Sequence, residues 1–136
     1  MAAKYQIRVF GKPGCDKCHT LNQRLDKLLA KDEYSAFDKL YCDVETISGL
    51  VAFAEAECIN PARIPAMLIT TWCDEAGEYI PLGTQQPGAK DPVYKKAKLY
   101  QYLGLQTDYS TAGKGLITPK MIEAILTEAK VRFQPP

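Results

Sequence analysis

The sequence predicts an α/β protein in which a mixed four-stranded sheet is flanked by helices, with an insertion before the last helix. Strand-like and helix-like segments alternate through the first half of the chain. Two strand-like segments joined by a turn follow, and a helical pattern closes the chain after an irregular stretch. Alternation implies parallel strands with right-handed crossovers, whereas a tight turn adds antiparallel pairing. The length of 136 residues fits a single domain spanning 1–136.

The first strand and helix are predicted on either side of a loop. Tyr5–Phe10 is rich in β-forming residues and ends at Gly11-Lys12-Pro13-Gly14, so we assign it to a strand followed by a loop. A helix from about Cys15 to Ala30 follows from an apolar stripe at helical spacing. Its members are Cys18, Leu21, Leu25, Leu28 and Leu29.

The second strand and helix follow the same logic. Phe37–Val44 is predicted as a strand with Leu40, Cys42 and Val44 on one face. Thr46 or Ser48 can cap the next helix. Its predicted buried stripe consists of Leu50, Val51, Ala54 and Cys58.

The second half of the sheet is predicted as a hairpin. After Arg63-Ile64-Pro65, the run Ala66–Ile69 is almost wholly apolar, which is typical of a central strand covered on both faces. Asp74–Gly77 is a turn, and Glu78–Leu82 is the returning antiparallel strand. Pro81 places that strand at an edge, because proline lacks an N–H for the ladder.

The insertion occupies about residues 83–115. A short helix is predicted to start at Asp91-Pro92, and its pattern runs through Lys95, Lys96, Leu99, Tyr102 and Leu103. We predict that the insertion determines partner choice rather than chemistry; the alternative is a helical decoration that only covers a sheet edge. Thr118-Pro119 then starts the last helix. Its predicted stripe is Met121, Ile122, Ile125, Leu126 and Ala129.

The charge balance limits the classes of partner. Lys and Arg total 17 against 16 Asp and Glu, which argues against a generic binder of nucleic acid or anionic membrane. The Tyr- and Lys-containing stretch from Tyr94 to Tyr109 is accordingly interpreted as a solvated basic face. No apolar run approaches the ~20 residues of a membrane span, and the N-terminus lacks an apolar signal core. We therefore expect a cytoplasmic monomer that binds no nucleic acid and no membrane.

Only two of the five cysteines form a close pair, Cys15 and Cys18. The others, Cys42, Cys58 and Cys73, stand apart and are interpreted as small buried hydrophobic residues. Cys73 could alternatively act as a third redox thiol.

The position of the pair suits redox chemistry. At a helix N-terminus, unpaired N–H groups and the positive end of the helix dipole stabilise a thiolate, so we expect a lowered pKa for the first cysteine. The i, i+3 spacing puts Cys18 one turn below Cys15, close enough to attack a mixed disulfide on it. Lys12 and Lys17 add positive charge nearby, and Asp16 partly opposes them.

With Lys12–Cys18 after the first strand and Ile64-Pro65 before the third, the chain resembles the thioredoxin-like superfamily, and within it the glutaredoxin-like branch. The resemblance implies that Cys15 is the nucleophile, that Cys18 resolves the mixed disulfide, and that Pro65 is cis with the Ile64 backbone placed against the substrate. Lys12 matches a lysine that is common in glutaredoxins. Arg63, beside Ile64, either contacts an anionic group on a substrate or is simply exposed.

The sequence thus predicts a thiol–disulfide oxidoreductase acting on disulfide-containing proteins or small thiol substrates, with Lys12, Arg63, Ile64 and Pro65 binding the substrate. We expect no bound cofactor and no metal, but an external electron donor, either glutathione or a thioredoxin reductase. The alternative from another class is a redox-inactive interaction module. Cys15–His19 also matches the c-type haem attachment pattern, but Cys18 belongs to the predicted buried stripe. A zinc or iron–sulfur site would need further ligands of suitable spacing.

Overall fold

In the part of the chain that the structure describes, five strands form one mixed sheet, and helices cover both of its faces. The computed structural model describes residues 3–55, 63–83, 96–99, 102–111 and 113–132. The strands are β1 (Tyr5–Gly11), β2 (Phe37–Asp43), β3 (Ala66–Cys73), β4 (Glu78–Pro81) and β5 (Gly104–Gln106). The helices are α1 (Asp16–Leu29), α2 (Ile47–Glu55) and α3 (Pro119–Arg132), with a 3₁₀ turn at Asp32–Tyr34.

The strand order β2-β1-β3-β4 places β3 at the centre of the sheet. The β1–β2 pair is parallel, and β1 pairs with β3 in antiparallel fashion, with Phe10 opposite Ala66. The other edge of β3 is divided between two strands. Thr70–Cys73 pair with β4, and Ala66–Leu68 pair with β5.

The fifth strand is a feature that the sequence analysis missed. Lys96 and Ala97 are helical, in agreement with the predicted short helix, whose residues 91–95 lie outside the described ranges. The prediction that this helix continues through Tyr102 and Leu103 is wrong. Leu103 N–H donates to the Leu82 carbonyl at 2.7 Å, and the chain then enters β5. Residues 104–106 form a strand because their backbone pairs with the buried edge of β3, whose polar groups would otherwise lack partners.

Alternating side chains of β1 divide the core between the two faces of the sheet. Tyr5, Ile7 and Val9 point toward α1 and α3, and Phe10 packs on the other face near Phe53 of α2. The predicted stripe of α1 is buried at Cys18, Leu21, Leu25 and Leu28. The predicted stripe of α3 is buried throughout, and the Thr118 hydroxyl caps this helix by accepting the Met121 N–H at 3.3 Å.

The predicted buried face of α2 is wrong. Leu50 and Val51 are 56% and 52% exposed, Ala54 is also exposed, and Cys58 lies outside the described residues. Ala52 and Phe53 pack against the core instead. Because Leu50–Ala54 form an unbroken apolar run, the sequence pattern does not select one face of this helix.

Contacts at the start of α2 choose its orientation. The Thr46 hydroxyl accepts the Gly49 N–H at 3.0 Å, as expected for the predicted cap. Gly49 rests directly on the backbone of Asp43, where a Cβ atom would collide with it. This approach ties the first turn of α2 to the end of β2.

The predicted inward face of β2 is only partly buried. Cys42 is buried and Val44 packs against the core, but Leu40 is 44% exposed. Since β2 is the last strand on its side of the β2-β1-β3-β4 order and α2 packs near its end, Leu40 lies beyond this cover. Within the described ranges, no helix is both long and apolar enough to cross a membrane.

We predict that Leu105→Ala destabilises the protein by about 2–5 kcal/mol, because Leu105 is fully buried where β5 pairs with Met67 of β3. Leu40→Ala makes the same truncation on an exposed site and should cost about 1 kcal/mol or less. Urea denaturation of both variants measures the difference. Equal losses would show that β5 is not held in the sheet core.

Candidate active site

Cys15 and Cys18 lie at the N-terminus of α1, immediately after the loop that leaves β1. They are joined in a disulfide, with Cα atoms 5.2 Å apart. Cys15 is the N-cap residue, and its Sγ accepts the Cys18 N–H at 3.2 Å. Cys15 is half-buried, whereas Cys18 is only 1% exposed within the apolar stripe of α1. The pair therefore has one accessible sulfur and one enclosed sulfur, and the enclosure of Cys18 agrees with its place in the predicted apolar stripe of α1.

The backbone at the end of β1 is shaped to admit Cys18. A Cβ atom on Gly11 would lie 3.1 Å from Cys18 Sγ and 2.6 Å from the Tyr41 hydroxyl. Both distances are tighter than normal contacts. Glycine at position 11 thus lets the second sulfur and the Tyr41 side chain pack against the strand.

The loop that leads into β3 ends at Pro65 and approaches the disulfide. The Ile64–Pro65 peptide bond is cis, which is the geometry that the family resemblance implies. Thr107, which follows β5, donates its N–H to the carbonyls of both Arg63 and Pro65 at 3.1 Å. Its hydroxyl also donates to the Pro65 carbonyl at 2.6 Å. The insertion is therefore part of the scaffold that holds this loop.

An open cavity of about 500 Å³ joins these elements. It is lined by Lys12, Cys15, Val44, Glu45, Leu50, Phe53, Ile64 and Tyr109. Lys12 and Ile64, two predicted binding residues, thus lie in the same cavity as the accessible sulfur. The exposed face of α2 contributes Leu50, which explains where part of the wrongly predicted buried stripe points.

A smaller cavity of about 70 Å³ lies beside Pro65. Its lining residues are Lys17, Thr20, Leu21, Arg24, Pro65, Thr107, Gly115, Leu116 and Ile117. Lys17 and Arg24 make it cationic, although the Arg24 guanidinium already donates to the Ile117 carbonyl at 2.5 Å.

Arg63 is placed differently from either expectation. Its Nε donates to the Thr107 carbonyl at 2.8 Å, and its Nη2 donates to the Lys96 carbonyl at 2.7 Å. Arg63 does not line the cavity that contains Cys15. The guanidinium joins the insertion to the loop before Pro65, since a planar fork of donors suits neighbouring carbonyls.

Similarity to known structures bears on the fold. Mitochondrial thioredoxin 3 from Saccharomyces cerevisiae, in its oxidised form, matches 93% of this chain and 79% of its own, with 15% identity and a TM-score of 0.51. The chain has a thioredoxin-like fold. A poxviral disulfide oxidoreductase described as essential for cytoplasmic disulfide bond formation aligns over 92% of this chain and 93% of its own, at 15% identity and a TM-score of 0.43. The sequence matches no protein-family model and no curated protein.

Within this thioredoxin-like fold, the sequence analysis missed Thr107 and Tyr109. The Tyr109 hydroxyl donates to the Ile64 carbonyl, and its ring lies 5.1 Å from Lys17 Nζ. No motif distinguishes Tyr109 from its neighbours, and the sequence pattern places it on a solvated basic face. Only the return of the chain through β5 brings it to the disulfide.

The remaining cysteines differ in accessibility. Cys42 is buried, as predicted, and burial raises the pKa of its thiol, although Arg8 opposes the shift. Cys73 is half-buried at the end of β3, and Cys58 lies outside the described residues. His19 is exposed. Across the described ranges, no three His, Cys, Asp or Glu side chains are grouped as metal ligands.

A buried carboxylate anchors the loop between β5 and α3. Asp108 accepts the Ser110 N–H at 3.0 Å, and its carbonyl accepts the Gly115 N–H at 2.7 Å. Hydrogen bonds from Ser110 hold the pKa of Asp108 below its usual 3.8, with burial opposing them and Arg63 adding to the shift. The ionised form therefore stabilises the folded state.

Because this pKa is lowered on folding, the stabilisation is present above the ordinary value of 3.8 and is lost as the pH falls through the folded pKa. We predict that Asp108→Asn removes part of the stability that the protein loses as the pH falls below the ordinary 3.8 toward the lower, folded-state pKa. Urea denaturation across that range measures it. Asp38→Asn is the matched control, since Asp38 is exposed yet also accepts a backbone N–H. An equal effect of the control would contradict the assignment to Asp108.

Proposed function

We propose that this protein is a thiol–disulfide oxidoreductase in which Cys15 is the nucleophile and Cys18 the resolving cysteine. The observation that carries the proposal is the asymmetric pair at the start of α1, with one sulfur facing a cavity and the other enclosed. Packing alone does not explain a half-exposed cysteine at a helix cap. An accessible thiolate stabilised by helix N–H groups is what nucleophilic attack on a disulfide requires.

The reaction follows from this arrangement. In the reduced protein, the Cys15 thiolate attacks one sulfur of a substrate disulfide, and the other sulfur leaves as a thiolate that takes a proton from water. Cys18, once deprotonated, attacks Cys15 Sγ in the mixed disulfide and displaces the second substrate thiolate. Two electrons pass to the substrate, and the Cys15–Cys18 disulfide remains. An external thiol or a reductase must then reduce it.

Disulfide-containing proteins are the proposed substrates, with small disulfides as simpler ones. Lys12 and the Ile64 backbone share a cavity with Cys15, which supports a role for both in binding. Pro65 follows Ile64 and lines the smaller cavity, and we propose that it also contacts the substrate. We propose glutathione or a thioredoxin reductase as the electron donor, and a cytoplasmic monomer as the working form. Membership of the glutaredoxin-like branch is part of this proposal.

Activity tests separate the two sulfurs. We predict that Cys15→Ser abolishes reduction of insulin and of hydroxyethyl disulfide, because the remaining Cys18 thiol is enclosed and a substrate disulfide cannot reach it. Cys18→Ser should retain the first attack and accumulate a mixed disulfide that mass spectrometry detects. Cys73→Ser is the matched control, because this half-buried cysteine lies at the far end of β3.

The same assays distinguish an enzyme from an interaction module. We expect the alkylation rate of Cys15 in the reduced protein to rise with pH and to reach half of its maximum at a pH below ~8.5, the pKa of a free thiol. A midpoint at or above that value, with neither disulfide reduced, would establish the redox-inactive alternative. Running the assays with glutathione plus glutathione reductase, or with thioredoxin reductase, identifies the donor.

A further inference from the structure

We propose that Tyr109 is a specificity-determining residue of this site. Its hydroxyl donates a hydrogen bond to the Ile64 carbonyl. An extended substrate segment must displace that hydroxyl before one of its own N–H groups can pair with the backbone beside Cys15. The inference deepens the proposed function and rests on it. The substrate class that it selects is an extended polypeptide segment next to the disulfide, with an N–H positioned to replace the tyrosine hydroxyl.

The hydrogen bonds of the loop before β3 show which carbonyl can be released. Three successive carbonyls, those of Arg63, Ile64 and Pro65, all accept from residues 107–109. The outer two are bound by the N–H of Thr107, which is fully buried, so they cannot open without moving the backbone. The middle one is bound by a side chain that is 49% exposed. Rotation of one side chain frees it.

The surroundings of Tyr109 keep the hydroxyl in place when no substrate is bound. Burial raises the pKa of Tyr109 above its usual 10.0, so the group stays protonated and donates. Lys17 Nζ lies 5.1 Å from the centre of the ring, a cation–π contact from the first turn of α1. Tyr109 is thus held between the helix that carries the cysteines and the loop that ends at Pro65.

The hydrogen bond between Tyr109 and the Ile64 carbonyl lies where a bound substrate would need the same carbonyl. Tyr109, Ile64 and Cys15 line the same open cavity. A segment whose cysteine reaches Cys15 Sγ brings its flanking amides close to the Ile64 carbonyl, and strand-like pairing there is the ordinary way to bind an extended chain. A small disulfide without amides gains nothing from that carbonyl. Displacing Tyr109 therefore affects polypeptide substrates selectively.

The test uses two substrates that release the same leaving group, 5-thio-2-nitrobenzoate. One is a linear cysteine peptide that carries this group in a mixed disulfide. The other is the symmetric disulfide of the same group, which serves as the small disulfide. The measured quantity is the ratio of their rate constants with reduced Cys18→Ser protein. We predict that Tyr109→Phe raises the peptide-to-small-disulfide ratio about 2- to 10-fold, the net effect of one hydrogen bond. Methylating the peptide amides that flank the cysteine, one at a time, should remove the gain at the position that pairs with Ile64.

Tyr79→Phe is the matched control. Its hydroxyl also donates to a backbone carbonyl, that of Ala3, but it lies on β4 at the opposite end of β3, and the ratio should not change. Lys17→Gln provides a second variant that leaves the hydroxyl intact and loosens the ring, so the ratio should rise by a smaller factor.

The outcomes separate the two proposals. An unchanged or lowered peptide-to-small-disulfide ratio in Tyr109→Phe overturns the role of Tyr109. So does a gain in this ratio that survives methylation at every position. In both cases, activity on the small disulfide leaves the proposed function standing. Absence of reaction with either substrate in the protein with both cysteines overturns the proposed function, and the role of Tyr109 with it. A Tyr109→Phe protein that does not fold, together with an unchanged ratio in Lys17→Gln, also contradicts the proposal.

Discussion

The hydrogen bonds between Thr107 and the loop ending at Pro65 are the interaction on which the site depends. They connect residues more than forty positions apart in the chain, and they continue the pairing of β5 with β3 to the edge of the cavity. Carbonyls of this loop are enclosed by the protein, and a buried carbonyl without a donor costs about 1–3 kcal/mol. The insertion is therefore a structural part of the sheet as well as a wall of the site.

The chemistry of the cysteine pair is local, but its surroundings are not. Cys15 caps α1 and Cys18 follows one turn later, so their relation to each other is set within four residues. Their relation to Pro65 comes from the antiparallel register of β1 and β3, which places Phe10 opposite Ala66. That register brings the loop leaving β1 and the loop entering β3 to the same edge of the sheet. There, Cys15 and Ile64, the residue that precedes the cis-proline, line one cavity.

Helix α2 shows how a site can use apolar surface that the core does not. Phe53 contacts the small core on its face of the sheet, where its ring meets Phe10 edge to face, and also lines the cavity. Leu50 lines the same cavity while remaining largely exposed. Apolar periodicity cannot separate residues that face a core from residues that face a binding cavity, because both are apolar. This is the physical reason that Leu50, which lines the cavity, was wrongly predicted to be buried.

The sequence by itself determined the elements whose signals are local: the strand at Tyr5, the cap and stripe of α1, the apolar centre of β3, the Thr118-Pro119 start of α3, and the cysteine pair at a helix N-terminus. Each depends on residues within one or two turns of each other, so spacing alone predicts it. Only the tertiary structure decided that residues 104–106 form a strand, that the Arg63 guanidinium binds carbonyls of the insertion, and that Tyr109 reaches Ile64. These three depend on pairing across the edge of β3. A three-residue strand with no periodicity of its own gains its stability from the partner edge, which no local pattern in the sequence encodes.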